Sequence, residues 1–245
     1  EDATSARPGI LLIHGGGWML GDKQSGTPQC KSLASLGFLV ANVDYRLSHA
    51  HEPSHEWPAQ LVDVQLAVRW LRAHASQLGL DSKHICADGA SAGGHLAVFL
   101  GVLGTIHVGD EAGLLANESP QVSCVVDNFG PTDLTNPREL DPLQVYIPTL
   151  FGGKTLQNDP QLYQDASPIF DVSPHSAPML IIQGTQDSVV IPAHSLELQH
   201  ALQLNHVPVQ YISYNGEHSF GHVPSQQVQT IYDQEEAYLV AQEHP

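Results

Sequence analysis

The chain has 245 residues, enough to bury one sizeable core, and it is expected to form a single domain over 1–245. Its 26 acidic side chains against 9 Lys and Arg give a formal net charge of −17, which argues against nucleic-acid partners, anionic membranes and polyanionic substrates. No apolar run approaches the roughly 20 residues that cross a bilayer and no signal peptide is visible, so the expectation is a soluble chain, cytoplasmic or secreted in mature form.

Gly9-Ile10-Leu11-Leu12-Ile13 reads as a short strand buried on both faces, and it runs directly into His14-Gly15-Gly16-Gly17-Trp18. Three successive glycines leave backbone N–H groups unshielded. Acyl transfer develops negative charge on the former carbonyl oxygen, and fixed N–H donors stabilise it, so Gly15, Gly16 and Gly17 are candidate oxyanion-hole residues. A helix over 26–36 and a strand over 37–43 come next. The segment His49-Ala50-His51-Glu52-Pro53-Ser54-His55-Glu56-Trp57 carries imidazoles and carboxylates, which can ligate Zn²⁺ or Cu²⁺. It lacks C-x-x-C or H-E-x-x-H spacing, so it reads as a solvated insertion, and no metal or other cofactor is expected.

After a helix over 58–75, the apolar run at 84–88 leads into Gly89-Ala90-Ser91-Ala92-Gly93-Gly94 and then a helix over 92–103. This has the form of a nucleophile elbow, in which a strand reverses sharply into a helix and only small neighbours let the chain close. Ser91 is the candidate nucleophile, and the N–H of Ala92 would complete the oxyanion hole. Cys86 and Cys124 fall in apolar strands and Cys30 in a helix; without metal or redox spacing, all three are expected as buried free thiols.

Beyond a strand over 122–128, the connection from 130 to 177 is rich in proline and glycine and is a candidate cap or lid. The run at 178–183 then delivers Asp187 to a strand-end loop, and after a helix over 192–205 the run at 207–213 delivers His218 to the next one. A helix over 224–241 closes the chain. A serine hydroxyl is a poor nucleophile at neutral pH, so a histidine must take its proton and a carboxylate must orient that histidine. Chain order and glycine context favour Asp187 as acid and His218 as base, with Asp133, His175, Glu217 and His222 as rivals on similar loops. Trp18, Tyr45, Trp57 and Phe220 are candidate substrate-binding walls, joined by Tyr146, Ile147 and Leu150.

Together these motifs resemble the α/β-hydrolase superfamily, specifically hormone-sensitive-lipase-like esterases and the bifunctional feruloyl and acetyl-xylan esterases. Val43-Asp44-Tyr45-Arg46-Leu47, Trp57-Pro58-Ala59-Gln60, Ser91-Ala92-Gly93-Gly94-His95, Phe129-Gly130-Pro131-Thr132-Asp133-Leu134, Ala166-Ser167-Pro168 and Asp187-Ser188-Val189-Val190-Ile191-Pro192 carry the resemblance, in the family's order. It implies an α/β fold with a mostly parallel sheet of about six strands flanked by helices, apparently lacking the two usual N-terminal strands. The strand at 9–13 should then lie inside the sheet, with the strand near 36–43 at the exposed edge. The implied activity is a serine carboxylesterase acting on short-chain or aryl esters of acetyl or feruloyl type, on small molecules or polysaccharide. An arylformamidase or peptidase of the same fold is the alternative, and a non-catalytic hydrolase-fold binding module is the alternative of another class. The insertion at 48–57 and the 130–177 connection are expected to border the substrate entrance.

Overall fold

The computed structural model describes residues 6–103 and 115–243. Six parallel strands, β1 (Arg7–Ile13), β2 (Leu39–Val43), β3 (Leu80–Ala90), β4 (Cys124–Asn128), β5 (Met179–Gly184) and β6 (Val209–Tyr214), form one sheet in the order β2-β1-β3-β4-β5-β6. The helices of nine or more described residues are α1 (Thr27–Ser35), α2 (Ala59–Ala73), α3 (Ala92–Val102), α4 (Ala193–Leu204) and α5 (Ser225–Glu243). Each expected strand and helix therefore exists.

Successive strand side chains point to opposite faces, and the apolar composition of β1 follows from having a core on each. Leu11 and Ile13 join Leu61, Val64, Leu96 and Phe99 on one face, whereas Ile10 and Leu12 join Leu33, Phe38, Leu180 and Leu239 on the other. β1 lies between β2 and β3, while β2 forms a sheet edge with every residue only half-buried, as the strand order implied. The parallel registers bring Ile13 beside Gly89, Ala90 beside Asn128 and Gly184 beside Tyr214. The loops leaving β1, β3, β5 and β6 thus emerge along one edge, where ligands of open α/β sheets bind.

Two expectations change. Cys86 and Cys124 are paired by the β3–β4 register with Cα atoms 4.6 Å apart and form a disulfide, so the free-thiol reading holds only for Cys30, which is half-buried. The 130–177 connection is built into the core. Its short helices, Pro137–Leu140, Ile147–Leu150 and Pro160–Asp165, bury Leu140, Ile147, Leu150 and Tyr163 in the same cluster as α2 and α3.

Candidate active site

Ser91 sits between β3 and α3 with φ 56° and ψ −119°, a conformation costly for a residue with a side chain. The turn is held by the Ser91 N–H donating to the Asn128 carbonyl at 2.8 Å and by the His95 N–H donating to the Ser91 carbonyl at 3.0 Å. A Cβ on Gly89 would lie 2.1 Å from the Gly93 carbonyl oxygen, and one on Gly93 would lie 2.0 Å from that of Ile13. The small residues around the serine are therefore a steric requirement of the turn.

The structure brings together the three residues that chain order singled out. Ser91 Oγ is 3.0 Å from His218 Nε2, and His218 Nδ1 is 2.7 Å from Asp187 Oδ2. With a proton on Nδ1, the imidazole donates to Asp187 and leaves Nε2 to accept the serine proton. Asp187 is buried and its other acceptor positions are filled: Oδ1 takes the N–H groups of Val189 and Val190, both at 2.9 Å, and Oδ2 also takes Gln183 Nε2 at 3.2 Å. Ser195 Oγ donates to Gln183 Oε1 at 2.8 Å, so helix α4 fixes the amide that fixes the carboxylate. The ring of Phe129 meets His218 edge to face at 4.9 Å.

The rivals stand elsewhere. Asp133 Oδ1 accepts from the backbone and hydroxyl of Thr135 within its own turn, His222 pairs at 3.2 Å with Glu217 in solvent, and His175 is exposed.

The glycine turn after β1 lies against the elbow. Gly16 and Gly17 have φ of +119° and +60°, and neither N–H has a hydrogen-bond partner among the described residues. A Cβ on Gly15 would lie 3.3 Å from the Ser91 Cβ, on Gly16 2.1 Å from the Leu20 carbonyl oxygen, and on Gly17 2.2 Å from the Tyr146 ring. Ala92 opens α3, where the first N–H groups of a helix have no intrahelical acceptor. Gly15, Gly16 and Gly17, with Ser91 and His218, line a cleft of about 540 Å³.

Of the five aromatic residues expected on its wall, Phe220 and Tyr146 line this cleft. Trp18, with φ 58°, turns its ring into the core and donates through Nε1 to His95 Nδ1 at 3.3 Å. Tyr45 stacks on His14 at 4.4 Å and donates to the His14 carbonyl at 3.0 Å, and Trp57 packs on His95 and Phe99. These three support the glycine turn and α3 from behind. Ile147 and Leu150 are likewise core, whereas Tyr146 lines the cleft as expected, joined there by Leu20, Phe129 and Val189, which the sequence alone does not mark.

The insertion at 48–57 contributes no lining residue to this cleft, contrary to the expectation that it borders the entrance. It packs one layer behind: the Ser48 N–H donates to the Trp18 carbonyl at 2.8 Å, and Arg46 pairs with Asp63 at 2.9 Å while donating to the Ser54 carbonyl at 3.1 Å.

Two buried polar groups support the site. His95 is fully buried, and burial lowers its pKa to about 4; it stays neutral, accepting from Trp18 and donating through Nε2 to the Ala166 carbonyl at 2.9 Å. Beneath the elbow, Gln29 Nε2 bridges the carboxyls of Asp88 on β3 and Glu235 on α5. Burial raises Asp88 to about 6, and burial together with the adjacent Asp88 raises Glu235 well above the usual range. The pair is stable when it shares a proton.

A parallel sheet wrapped by helices, with a serine elbow, a histidine and an aspartate converging at its carboxyl edge, defines the α/β-hydrolase fold with a serine–histidine–aspartate constellation. The chain belongs to the BD-FAE family, whose model matches residues 1–202 and so ends before His218. It is similar to Esterase LipC of Mycobacterium tuberculosis (strain ATCC 25618 / H37Rv), 29% identical over 190 residues that cover 76% of this chain and 46% of LipC. The chain spans about half the length of the curated relatives it matches. Among solved structures, a truncated form of a carbohydrate esterase from gut microbiota superposes with TM-score 0.82 at 26% identity, covering 100% of this chain and 88% of that one. An acetyl ester-xyloside bifunctional hydrolase from Caldicellulosiruptor lactoaceticus shares the fold, with TM-score 0.83 at 24% identity over 98% of this chain and 85% of that one.

Proposed function

We propose that this chain is a serine carboxylesterase that hydrolyses short-chain or aryl esters of acetyl or feruloyl type through an acyl-serine intermediate. The observation that carries this reading is the hydrogen-bonded path from Ser91 Oγ through both nitrogens of His218 to Asp187, opening on the glycine turn. In this reading Ser91 Oγ attacks the ester carbonyl carbon while its proton passes to His218 Nε2. The negative oxygen is held by N–H groups from the Gly15–Gly17 turn and Ala92, each such donor contributing about 10²–10³ in rate. Collapse breaks the bond to the alcohol, which leaves with the proton from His218. Water then enters, gives its proton to Nε2, and releases the acid and Ser91 by the same steps in reverse.

The cleft wall supports the substrate class. Phe129, Phe220, Tyr146 and Val189 suit an acyl or aryl group, and Asn42, Gln29 and Asn128 suit the hydroxyls of a sugar alcohol. The carbohydrate esterase and LipC names of its relatives agree with this choice. The net charge of −17 fits a neutral ester, free or linked to polysaccharide. The test compares kcat/KM for acetyl, butyryl, octanoyl and feruloyl esters with an amide and with N-formylkynurenine. Short acyl or feruloyl esters should turn over fastest, and Ser91→Ala should lose that turnover. Faster hydrolysis of the amide or of N-formylkynurenine than of every ester would replace this reading with a peptidase or an arylformamidase.

A further inference from the structure

The histidine-rich insertion plays no part in the proposed ester hydrolysis, yet its side chains are organised. The Glu52 N–H donates to the His49 carbonyl at 3.2 Å, closing a turn with His51 at φ +68°, and the His55 N–H donates to the Glu52 carbonyl at 2.9 Å in the single 3₁₀ turn Pro53–His55. A 3₁₀ turn stacks residues three apart, which sets Glu52 beside His55, and the turn at His51 brings His49 to them. Each offers one ligand atom, and all three atoms lie within 4.8 Å of one another. His55 Nδ1 lies 3.0 Å from the Leu47 carbonyl and 3.2 Å from Glu52 Oε2, so Nδ1 carries the proton and Nε2 is the atom left to ligate, on a ring oriented by a backbone carbonyl as ligating imidazoles usually are. The His49 and His55 ring centroids are 6.0 Å apart, so small rotations of partly exposed side chains close the set.

From this geometry we propose that His49, Glu52 and His55 bind one divalent transition-metal ion, with Zn²⁺ the best fit and water completing the coordination. Two imidazoles and a carboxylate form a nitrogen and oxygen donor set that suits Zn²⁺ better than Mg²⁺ or Ca²⁺. The backbone beneath is already fixed. Ser48 Oγ donates to the His55 carbonyl at 2.9 Å, Gln60 Nε2 donates to the same carbonyl at 2.7 Å, and Arg46 holds Ser54. Ligands on a fixed backbone lose little freedom when an ion binds. Because Ser48 also donates to the Trp18 carbonyl, the ion ties the outer half of the insertion to the turn that follows Gly15–Gly17. Its role is to brace that turn; no step at Ser91 passes through it.

The test is calorimetric titration of the chelator-treated full chain with Zn²⁺, followed by Co²⁺ substitution and visible absorption spectroscopy. One equivalent of Zn²⁺ should bind and raise Tm, and Co²⁺ should give the intense bands of a low-coordinate site. His49→Ala and His55→Ala should each weaken binding at least about tenfold, and the double variant should lose it, while His200→Ala should bind as the parent does. All of these positions are at least partly exposed, and unchanged far-ultraviolet circular dichroism establishes that the variants are folded. Absence of stoichiometric Zn²⁺ binding, or binding undiminished in the double variant, would overturn the proposal.

Discussion

Ser91 Oγ and His218 Nε2 are 127 positions apart in the chain and 3.0 Å apart in space, and Asp187 holds the far side of the same imidazole at 2.7 Å. The contact is produced by the sheet: parallel strands deliver three separate loops to one edge, and the filled acceptors of Asp187 keep its carboxylate aimed at Nδ1. Replacing Asp187 by Asn places an amide where the carboxylate accepts from Nδ1–H. Asp187→Asn should therefore lower kcat for a short-chain ester by about 10⁴ with little change in far-ultraviolet circular dichroism. A loss of less than tenfold would remove Asp187 from this role.

Gly16→Ala tests the glycine turn. At φ +119° and 2.1 Å from the Leu20 carbonyl oxygen, the new Cβ forces the backbone to move, and the N–H moves with it. If that N–H stabilises the transition state, kcat should fall by about 10²–10³ while KM changes less than threefold. A rise in KM at constant kcat would instead assign the turn to uniform substrate binding.

The Asp88–Glu235 pair has a pH signature. A carboxyl whose folded pKa is raised binds more protons folded than unfolded, so stability is lost as pH rises from about 4.5, the ordinary glutamate value, through the raised value. Glu235→Gln does not titrate and keeps a donor toward Asp88. Its Tm relative to the parent should thus increase from about pH 4 to about pH 7. A difference independent of pH, or one that shrinks as pH rises, would contradict the raised value.

Specificity should reside in the cleft wall and not in the insertion. Phe220→Ala opens the wall beside Phe129, so the ratio of kcat/KM for feruloyl over acetyl esters should fall at least about fivefold, the loss of one aromatic contact. Shortening the insertion between Ser48 and Trp57 should change that ratio less than twofold, and a larger change would place the insertion at the substrate-binding wall.

The elements and the candidate triad were legible because each is enforced locally. Buried parallel strands are near-continuous apolar runs, and the elbow tolerates only small residues at 89 and 93, a signal carried by sequence itself. What escaped depends on register or side-chain direction. The Cys86–Cys124 disulfide follows from β3 and β4 being in step, which the 38-residue separation hides. Trp18, Tyr45 and Trp57 sit beside active-site motifs in the chain, yet they are buried in the core, and Trp18 has a positive φ that the sequence does not announce. The donor types at 49, 52 and 55 are visible in the sequence, but their juxtaposition is not, because it depends on the positive-φ turn at His51 and the 3₁₀ turn that follows it.

Reaction of the chain with an organophosphate, followed by mapping of the adduct by mass spectrometry, shows whether Ser91 is the nucleophile of an acyl-enzyme mechanism. One adduct per chain should form on Ser91, with hydrolysis lost in proportion to labelling. A stoichiometric adduct on another residue, or full ester hydrolysis by the Ser91→Ala variant, would contradict that assignment.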